Sequence, residues 1–332
     1  MKELKNEFKG KNILITGGLG FIGSNLAYRL VPLEAHITLV DALIPDYGGN
    51  SFNIRGIEEN VKLDISDIRN QSRIDRLVRN QDYIFNLAGQ VSHIDSMRDP
   101  FTDLEMNCQG QLSVLEACRK NNPSVKIIFA STRQIYGKPE YLPVDEKHPL
   151  RPTDINGINK MAGEMYHLLY NNVHRIRTVS LRLTNTFGPR QLMKHNRQGF
   201  IPWFIRQTID GEEVKIFGDG NQKRDMNYVD DVVDALLLAA INEKTNGEVF
   251  NLGGNQVISL VDFVKLLIEI NRDGSYSTVP FPEERKKIDI GDFYCNWSKI
   301  EDCLGWKPTI TIKEGLTRTI EYYKRFKNYY WS

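Results

Sequence analysis

The sequence predicts an α/β protein in which a doubly wound parallel sheet carries a smaller C-terminal lobe. Apolar, strand-like runs alternate with helical stretches, and this pattern implies a parallel sheet with right-handed crossovers. A glycine-rich turn directly follows the first of these runs. At 332 residues the chain is also long enough for a large core and a second lobe.

Several of the predicted strands are apolar throughout, as expected for strands covered by helices on both faces. The predicted strands are residues 13–16, 37–40, 61–63, 83–87, 126–130, 178–183 and 249–252. After Arg190 this rhythm fades; the predicted helices there are residues 199–211, 229–241 and 261–270, with an ordered loop over 280–292. We therefore expect a sheet domain over residues 1–185, completed by about 228–255, and a second lobe over 186–227 and 256–332.

The glycine-rich turn, residues 16–23 (TGGLGFIG), has the spacing of a site that holds a pyrophosphate. Gly17 permits a tight turn, Gly20 allows the backbone to approach the phosphates, and Gly23 lets the helix pack close to the strand. The N–H groups at the start of that helix face the anion. Asp41 ends the second strand, where a carboxylate binds the adenosine ribose and repels a 2′-phosphate. The sequence therefore predicts a Rossmann-type domain that binds NAD rather than NADP.

The charge balance and the sparse cysteine and histidine exclude several classes of function. With 43 basic and 42 acidic residues the net charge is +1, so we expect neither a nucleic-acid nor a membrane partner. Residues 1–12 do not resemble a signal peptide, and the longest apolar run, 232–241, is too short to span a bilayer. The four cysteines form no C-x-x-C pair, so we expect no metal site and no disulfide framework. A cytoplasmic protein is the expectation.

Two predicted helices carry apolar stripes. The stripes are Leu104, Cys108, Leu112 and Leu115 on one helix and Met161, Met165 and Leu169 on the other. Both stripes fit an ordinary core, and they fit equally a flank of two helices that pairs with a second subunit. We predict a homodimer.

Two further segments, residues 129–137 (FASTRQIYG) and 156–160 (NGINK), carry a resemblance to a known family. Over nearly its whole length the chain resembles the extended short-chain dehydrogenase/reductase family, the NAD-dependent nucleotide-sugar epimerases and dehydratases, including the UDP-glucose 4-epimerases. The other matching pieces are Asp64-Ile65, Leu87-Ala88-Gly89, Asn107, residues 185–190 (NTFGPR), residues 218–220 (GDG), Arg224-Asp225 and residues 304–308 (LGWKP). The resemblance implies bound NAD and a nucleoside-diphosphate sugar in the cleft between the two lobes.

The resemblance also implies a set of binding residues. Those expected at the cofactor are Gly17, Gly20, Phe21, Ile22, Asp41, Asp64, Ile65, Leu87, Ala88, Gly89, Asn107 and Lys160. Those expected at the substrate are Gln90, Ser96, Arg133, Asn185, Arg190 and Arg224. Asn185 and Arg224 match residues that hold the diphosphate in the family, and a guanidinium gives bidentate, charge-assisted contacts to phosphate.

The catalytic set of the family is a Ser or Thr after the fifth strand and a Tyr-x-x-x-Lys helix. Its tyrosine takes a proton from a sugar hydroxyl while a hydride leaves to NAD. Thr132 and Lys160 match two of these residues, but Asn156 occupies the tyrosine position, and a carboxamide cannot exchange a proton near neutral pH. In one interpretation another group transfers the proton, either Thr132 backed by Lys160 or His93, and Asn156 only hydrogen-bonds the sugar. In a second interpretation the enzyme tolerates a slower reaction. In a third, hydride chemistry has been lost.

The residues after the fifth strand narrow the reaction. The 4,6-dehydratases of the family that the chain resembles have Thr-Asp-Glu there. This chain has Thr132-Arg133-Gln134, and a glutamine cannot shuttle a proton. The 3,5-epimerases of the same family have a cysteine at the position of Gln134, so this chain also lacks the base of that reaction. We therefore predict 4-epimerisation through a 4-keto sugar. The alternatives are a dehydratase with a rearranged acid/base and a protein that binds NAD and nucleotide sugar without turnover.

Overall fold

Strands and helices alternate along the first part of the chain, as the sequence predicts. The structure, a computed structural model, describes residues 2–331. Its strands are β1 (Asn12–Thr16), β2 (His36–Asp41), β3 (Val61–Ile65), β4 (Tyr83–Asn86), β5 (Lys126–Thr132), β6 (Arg177–Leu183), β7 (Asn185–Phe187), β8 (Glu213–Phe217), β9 (Lys223–Tyr228), β10 (Val249–Leu252), β11 (Val257–Ser259) and β12 (Ser275–Val279).

The helices also follow the predicted order. They are α1 (Lys2–Phe8), α2 (Phe21–Leu30), α3 (Gln71–Leu77), α4 (His93–Arg98), α5 (Pro100–Leu104), α6 (Gly110–Asn121), α7 (Ile155–His174), α8 (Phe200–Asp210), α9 (Val229–Ile241), α10 (Leu260–Asn271), α11 (Glu283–Lys286), α12 (Ser298–Leu304) and α13 (Ile312–Phe326). None of the helices within residues 2–331 is both long enough and apolar enough to cross a membrane.

The central sheet confirms the predicted fold class. Within residues 2–331 it contains seven parallel strands in the order β10-β6-β5-β4-β1-β2-β3. Every strand predicted from the sequence is in this sheet, and β10 completes it at the β6 edge. The division into a sheet domain and a second lobe stays a prediction.

Two small sheets lie outside the predicted pattern. One has the strand order β11-β9-β7 and the other pairs β12 with β8. The sequence analysis missed them because their strands are short and mostly polar, as in β9 (KRDMNY). Asp225 and Tyr228 therefore lie on β9, and the loop predicted over 280–292 contains the short α11.

Apolar side chains cover both faces of the central sheet, which explains its apolar strands. Ile13 and Ile15 belong to a large cluster that includes residues of α2, α9 and the C-terminal helices. Leu14, between them, faces a second cluster that includes residues of α3 and α6. Successive side chains of a strand point to opposite faces, so β1 contributes to both cores.

A buried ion pair ties α7 to β6. The guanidinium of Arg182 donates to the carboxylate of Glu164, with Nη2 and Oε1 2.5 Å apart, and both side chains are almost fully buried. Tyr136 Oη accepts from Arg182 Nη1 at 2.7 Å, and the Ser180 hydroxyl donates to Glu164 Oε2 at 2.9 Å. These bonds offset the desolvation of the two charges and fix the helix on which residues 156 and 160 lie.

Removing the carboxylate charge should destabilise the protein strongly. We expect Glu164→Gln to lower the free energy of unfolding by about 3–5 kcal/mol, since Arg182 would remain buried without its counter-ion. Urea denaturation monitored by circular dichroism measures this change. The control is Glu269→Gln, which breaks an exposed pair with Lys313 and should cost less than about 1 kcal/mol. Equal losses for the two variants would contradict the prediction.

Candidate active site

The turn between β1 and α2 brings the backbone unusually close together. Gly17 has φ +69°, and a Cβ at this position would lie 3.1 Å from the Cα of Ala88. A Cβ on Gly23 would lie 2.3 Å from the carbonyl oxygen of Gly17. Neither position has room for a side chain, so only glycine lets α2 start this close to β1.

An open cavity with an empty volume of about 1070 Å³ extends from this turn along the carboxyl ends of β1, β2 and β4. The predicted cofactor residues that line it are Gly17, Gly20, Phe21, Ile22, Asp41, Leu87, Ala88 and Gly89. Leu192 and Gln198, from the part of the chain after the sheet, also line the cavity. The crevice therefore lies where doubly wound sheets bind their ligands.

Asp41 is held at one wall of the cavity by two backbone groups. The amide of Leu19 donates to its Oδ2 at 3.0 Å and the amide of Leu43 donates to its Oδ1 at 2.9 Å. Burial raises the pKa of this carboxyl, while the two hydrogen bonds act in the opposite direction. A Cβ on Gly49 would lie 2.7 Å from Oδ1, so the glycine leaves that oxygen uncovered. This is the position from which a carboxylate accepts ribose hydroxyls and repels a 2′-phosphate.

Asn107 and Lys160 converge on Gly89 at the other end of the cavity. A Cβ on Gly89 would lie 2.6 Å from Asn107 Oδ1 and 3.5 Å from Lys160 Nζ. Asn107 Nδ2 donates to the carbonyl of Gln90 at 3.0 Å, whereas its Oδ1 is buried without a hydrogen-bond partner among the described residues. Lys160 Nζ donates to the carbonyl of Ala130 at 2.8 Å. A cradle with an unsatisfied acceptor and an ammonium donor fits the hydroxyls of a ribose, so the two ends of the cavity together fit NAD.

Burial lowers the pKa of Lys160 to about 8, although the charges of Asp103 and Glu164 raise it. The ammonium group therefore loses its proton more readily than a surface lysine does. A lysine in this state can hold a ribose and also support proton transfer near neutral pH.

The cavity lining departs from the sequence prediction at the end of β3. Asp64 and Ile65 do not line it, whereas Ser66, Asp67 and Ile68 do. The carboxylate of Asp64 is occupied by the Arg73 guanidinium and by the Ser66 hydroxyl, and these contacts lower its pKa. The side chain of Ile65 is more than half exposed. The structure thus gives Asp64 an intramolecular partner in place of the expected role at the cofactor.

The imidazole of His93 is hydrogen-bonded to Asp154, a residue that was not predicted from the sequence. His93 begins α4, and its Nδ1 contacts Oδ2 of Asp154. Asp154 is the N-cap of α7 and accepts from the Gly157 amide with its other oxygen at 2.7 Å. Burial raises the pKa of Asp154, but the hydrogen bonds from His93 and Gly157 and the charges of His93 and Arg133 lower it by more. The carboxylate is therefore ionised at neutral pH and orients the imidazole.

The second nitrogen of the His93 ring contacts the amide of Gln134. His93 Nε2 and Gln134 Nε2 are in contact, and Gln134 Oε1 is buried without a partner among the described residues. The amide nitrogen donates to a neutral imidazole, and after a half-turn of the amide the oxygen accepts from an imidazolium. Glutamine at this position therefore accommodates both protonation states of the histidine. The imidazole itself is about one-third exposed and accessible from the cleft side.

Asn156 points into the protein rather than into the cleft. Its side chain is 1% exposed, and Nδ2 donates to the carbonyl of Gln90 at 2.8 Å and to Asp103 Oδ2 at 2.8 Å. Asn159, one helical turn on, donates to Asp103 Oδ1 at 2.8 Å. The amide of Asn156 thus holds a buried carboxylate in this structure, and its expected hydrogen bond to the sugar stays a prediction.

Gln90 and Ser96 also lie inside the protein. Gln90 Oε1 accepts from the Ser92 amide at 2.6 Å, closing the turn that leads into α4. The Ser96 hydroxyl donates to the carbonyl of His93 at 2.8 Å within α4. Both side chains are almost fully buried and position the helix that begins with His93, and their assignment to the substrate stays a prediction.

Asn185, Arg133 and Arg224 come together at the strand β9. Asn185 Nδ2 donates to the carbonyl of Asp225 at 3.2 Å. Arg224 is buried, and its Nη1 donates to the carbonyls of Lys223 and Gly291. Burial lowers the pKa of Arg133, and the nearby positive charge of Arg224 lowers it further. Two positive charges therefore lie near each other beside β9.

Arg190 lies elsewhere. It has φ +73°, and its guanidinium donates to Asn25 Oδ1 at 2.8 Å and lies over the Tyr28 ring at 3.8 Å. These contacts fasten residue 190 to α2 rather than to the group around Arg224. Its assignment to the substrate stays a prediction.

Thr132, the remaining predicted catalytic residue, ends β5, and its hydroxyl oxygen accepts from the Gln134 amide at 3.3 Å. Its hydroxyl hydrogen is free to donate to a bound sugar. Among residues 2–331, no three His, Cys, Asp or Glu side chains are grouped so that they could hold a metal ion.

A doubly wound sheet, a cavity that fits NAD and a buried lysine beside it are the arrangement expected of a nicotinamide-dependent enzyme. Residues 13–253 match the model of the NAD dependent epimerase/dehydratase family. The chain belongs to that family, which confirms the resemblance and the expectation that NAD is its cofactor.

Similar proteins span almost the whole chain. A protein of Methanocaldococcus jannaschii with a provisional assignment as a UDP-glucose 4-epimerase is 35% identical over 94% of this chain and 98% of its own. The UDP-glucose 4-epimerase of Thermotoga maritima, solved with UDP-glucose, is 34% identical with a TM-score of 0.86, covering 95% and 99% of the two chains. The UDP-glucuronic acid 4-epimerase of Bacillus cereus, solved with UDP-glucuronic acid and NAD, is 27% identical with a TM-score of 0.83, over 95% and 99%. Other relatives are dehydratases and decarboxylases, so the family covers several reactions.

Asp41 and Asp64 form a matched pair for a test of the cofactor site. We expect Asp41→Asn to weaken NAD binding at least tenfold, because it removes a charge-assisted hydrogen bond to the ribose, on the order of 1.5–3 kcal/mol. The preference for NAD over NADP should narrow in the same variant. Asp64→Asn should leave both affinities unchanged, since Arg73 already occupies that carboxylate. Isothermal titration of protein freed of nucleotide measures these affinities, and a larger effect at Asp64 would reverse the assignment.

Proposed function

We propose that the protein interconverts the C4 epimers of a nucleoside-diphosphate sugar through a 4-keto intermediate, with His93 transferring the proton. The observation that carries this proposal is the contact of His93 with Asp154 on one side and Gln134 on the other. The family's tyrosine is replaced by an asparagine that is buried and occupied, so an acid/base must come from another residue. His93 supports this role because a neutral imidazole whose Nδ1 hydrogen is held by a carboxylate presents a lone pair on Nε2 as a proton acceptor.

The proposed proton path follows from the two nitrogens of the ring. Asp154 accepts the hydrogen on Nδ1, which fixes the tautomer in which Nε2 carries a lone pair. When substrate binds, the O4 hydroxyl takes the place of the Gln134 amide at Nε2 and gives its proton to the ring. The hydroxyl of Thr132 donates to the same sugar oxygen and positions it. When bound, NAD supplies reversible hydride transfer at C4.

Inversion requires that the hydride return to the opposite face of the sugar. The keto sugar turns over in the cleft while its diphosphate stays bound near Arg224 and Asn185. His93 then returns the proton to the ketone oxygen. Lys160, whose pKa burial lowers to about 8, holds the nicotinamide ribose throughout.

The residues after β5 support C4 chemistry over dehydration. A 4,6-dehydration needs one group to remove the C5 proton and a second to protonate the leaving hydroxyl at C6. Arg133 and Gln134 occupy the corresponding positions and neither exchanges protons at neutral pH. Asp154 is buried behind His93, so only His93 of these two residues can act as an acid/base toward the cleft.

His93 can be tested against a second histidine of the chain. We expect His93→Gln to lower kcat by about 10²–10⁴-fold, because the proton at O4 has no acceptor, while NAD and nucleotide-sugar binding persist. Steady-state assays of C4 epimerisation across UDP-, GDP-, CDP- and dTDP-sugars, with binding titrations, measure both effects. His174→Gln, at the exposed end of α7, is the control and should retain full activity. Unchanged kcat in His93→Gln would remove the histidine from the reaction.

We further propose that two copies pair through α5 and α7. Phe101 on α5 is 75% exposed, and Leu169 and Val173 on α7 are also more than half exposed. By contrast, Cys108 and Leu115 of the first predicted stripe are buried in the protein's own core. A continuous apolar flank of this kind marks an interaction surface.

A charge placed on this flank should separate the subunits. We expect Leu169→Glu to sediment as a monomer of 38.2 kDa, whereas the unmodified protein sediments as a dimer. Val257→Glu, which alters an exposed apolar residue on β11, is the control and should leave the dimer intact. Sedimentation velocity distinguishes these species, and a monomeric unmodified protein would refute the pairing.

A further inference from the structure

Arg133 carries a guanidinium that has no partner of its own. It follows Thr132 directly and begins a short 3₁₀ turn at the carboxyl end of β5. Among residues 2–331, no side chain or carbonyl forms a hydrogen bond or an ion pair with it. The guanidinium carbon lies 5.1 Å from the centroid of the Phe293 ring. A cation over an aromatic face is attracted to the ring, and its N–H groups remain available to a ligand.

The surroundings place this cation between the two ends of the substrate cleft. Burial lowers the pKa of Arg133 to about 10, the charge of Arg224 acts in the same direction, and Asp225, Asp154 and Asp289 act against both. The residue is therefore charged at neutral pH, and its neighbour in the chain, Gln134, contacts His93, the partner of Asp154. Phe293, whose ring it faces, is bridged through the backbone to Arg224. That is where the sugar of a bound nucleotide sugar would lie if its diphosphate reaches Arg224.

The nearby carboxylates do not neutralise Arg133 by direct contact. Asp225 Oδ2 accepts from the Cys295 amide at 3.2 Å, and burial raises the pKa of Asp225 to about 6. Asp289 lies 4.0 Å from the other guanidinium, that of Arg224. A half-buried cation without a counter-ion is costly, so an anionic ligand that supplies one gains binding energy.

We propose that Arg133 binds a carboxylate on the sugar ring and that the substrate is a nucleoside-diphosphate uronic acid. This inference rests on the proposed function, since it takes the diphosphate to lie near Arg224 and the reacting carbon near His93. The planar guanidinium of Arg133, unpaired within the described residues, presents two parallel N–H groups, the geometry that a carboxylate accepts bidentately. A neutral hexose would leave those donors without an anion.

The test compares nucleotide sugars that differ only in the acid. NAD-loaded protein is titrated calorimetrically with UDP-glucose and UDP-glucuronate, and with GDP-mannose and GDP-mannuronate. Within the pair of nucleotide sugars that the protein binds, we expect the acidic sugar to bind at least about tenfold more tightly than the neutral one. This is the effect of one charge-assisted hydrogen-bonded contact. Arg133→Gln should abolish that preference while leaving the affinity for the neutral sugar within about twofold. Arg224→Gln, the comparison variant, should weaken the acidic and neutral sugars equally.

The other outcomes separate two failures. Equal weakening of acidic and neutral sugars by Arg133→Gln would place this guanidinium on the diphosphate and overturn the proposal. Equal affinity of the unmodified protein for both members of a pair would overturn it as well. If none of the four nucleotide sugars bound while NAD did, the proposed function itself would fail.

Discussion

The carboxylate of Asp154 is the interaction on which the site depends. One oxygen caps the first turn of α7 through the Gly157 amide, and the other holds the imidazole of His93. The same side chain therefore sets the start of the helix that carries Lys160 and the orientation of the residue that we propose as acid/base. Because the carboxylate is buried, ionised and used on both oxygens, the helix and the histidine keep a fixed relation to each other.

This arrangement explains how the chain can lack a tyrosine at position 156. The amide of Asn156 holds Asp103 and the Gln90 carbonyl, so it supports the loop between β4 and α4 from beneath. That loop carries Gly89 into the cofactor cavity and leads directly to His93. Position 156 thus carries a structural amide instead of an acid/base. An imidazole with its own carboxylate lies a short distance away. Because Gly89 lines the cavity, the amide of Asn156 also supports that wall of the expected NAD site.

Local patterns allowed the sequence to predict the central sheet, the glycine turn and Asp41, because a strand, a tight turn and a carboxylate at a strand end are all defined by neighbouring residues. The contact between His93 and Asp154 joins residues 61 positions apart, and any helix-capping aspartate would have given the same local signal. Local patterns also do not show in which direction a side chain points. Asn156, Gln90 and Ser96 lie on the expected elements but point inwards. The strands around Arg224 were not predicted because they are short and polar. The contacts of Arg190 were not predicted because its aromatic partners lie on distant helices.

The state of the His93 ring tests the central claim most directly. Long-range ¹H–¹⁵N correlation spectra of ¹⁵N-labelled protein distinguish the two neutral tautomers, and His93→Gln identifies the resonances of this ring. The account predicts that neutral His93 carries its hydrogen on Nδ1, facing Asp154, and that a bound nucleotide sugar perturbs the Nε2 resonance while the Nδ1–H persists. A neutral ring with its hydrogen on Nε2 would contradict the account, because that nitrogen would then have no lone pair for the sugar hydroxyl.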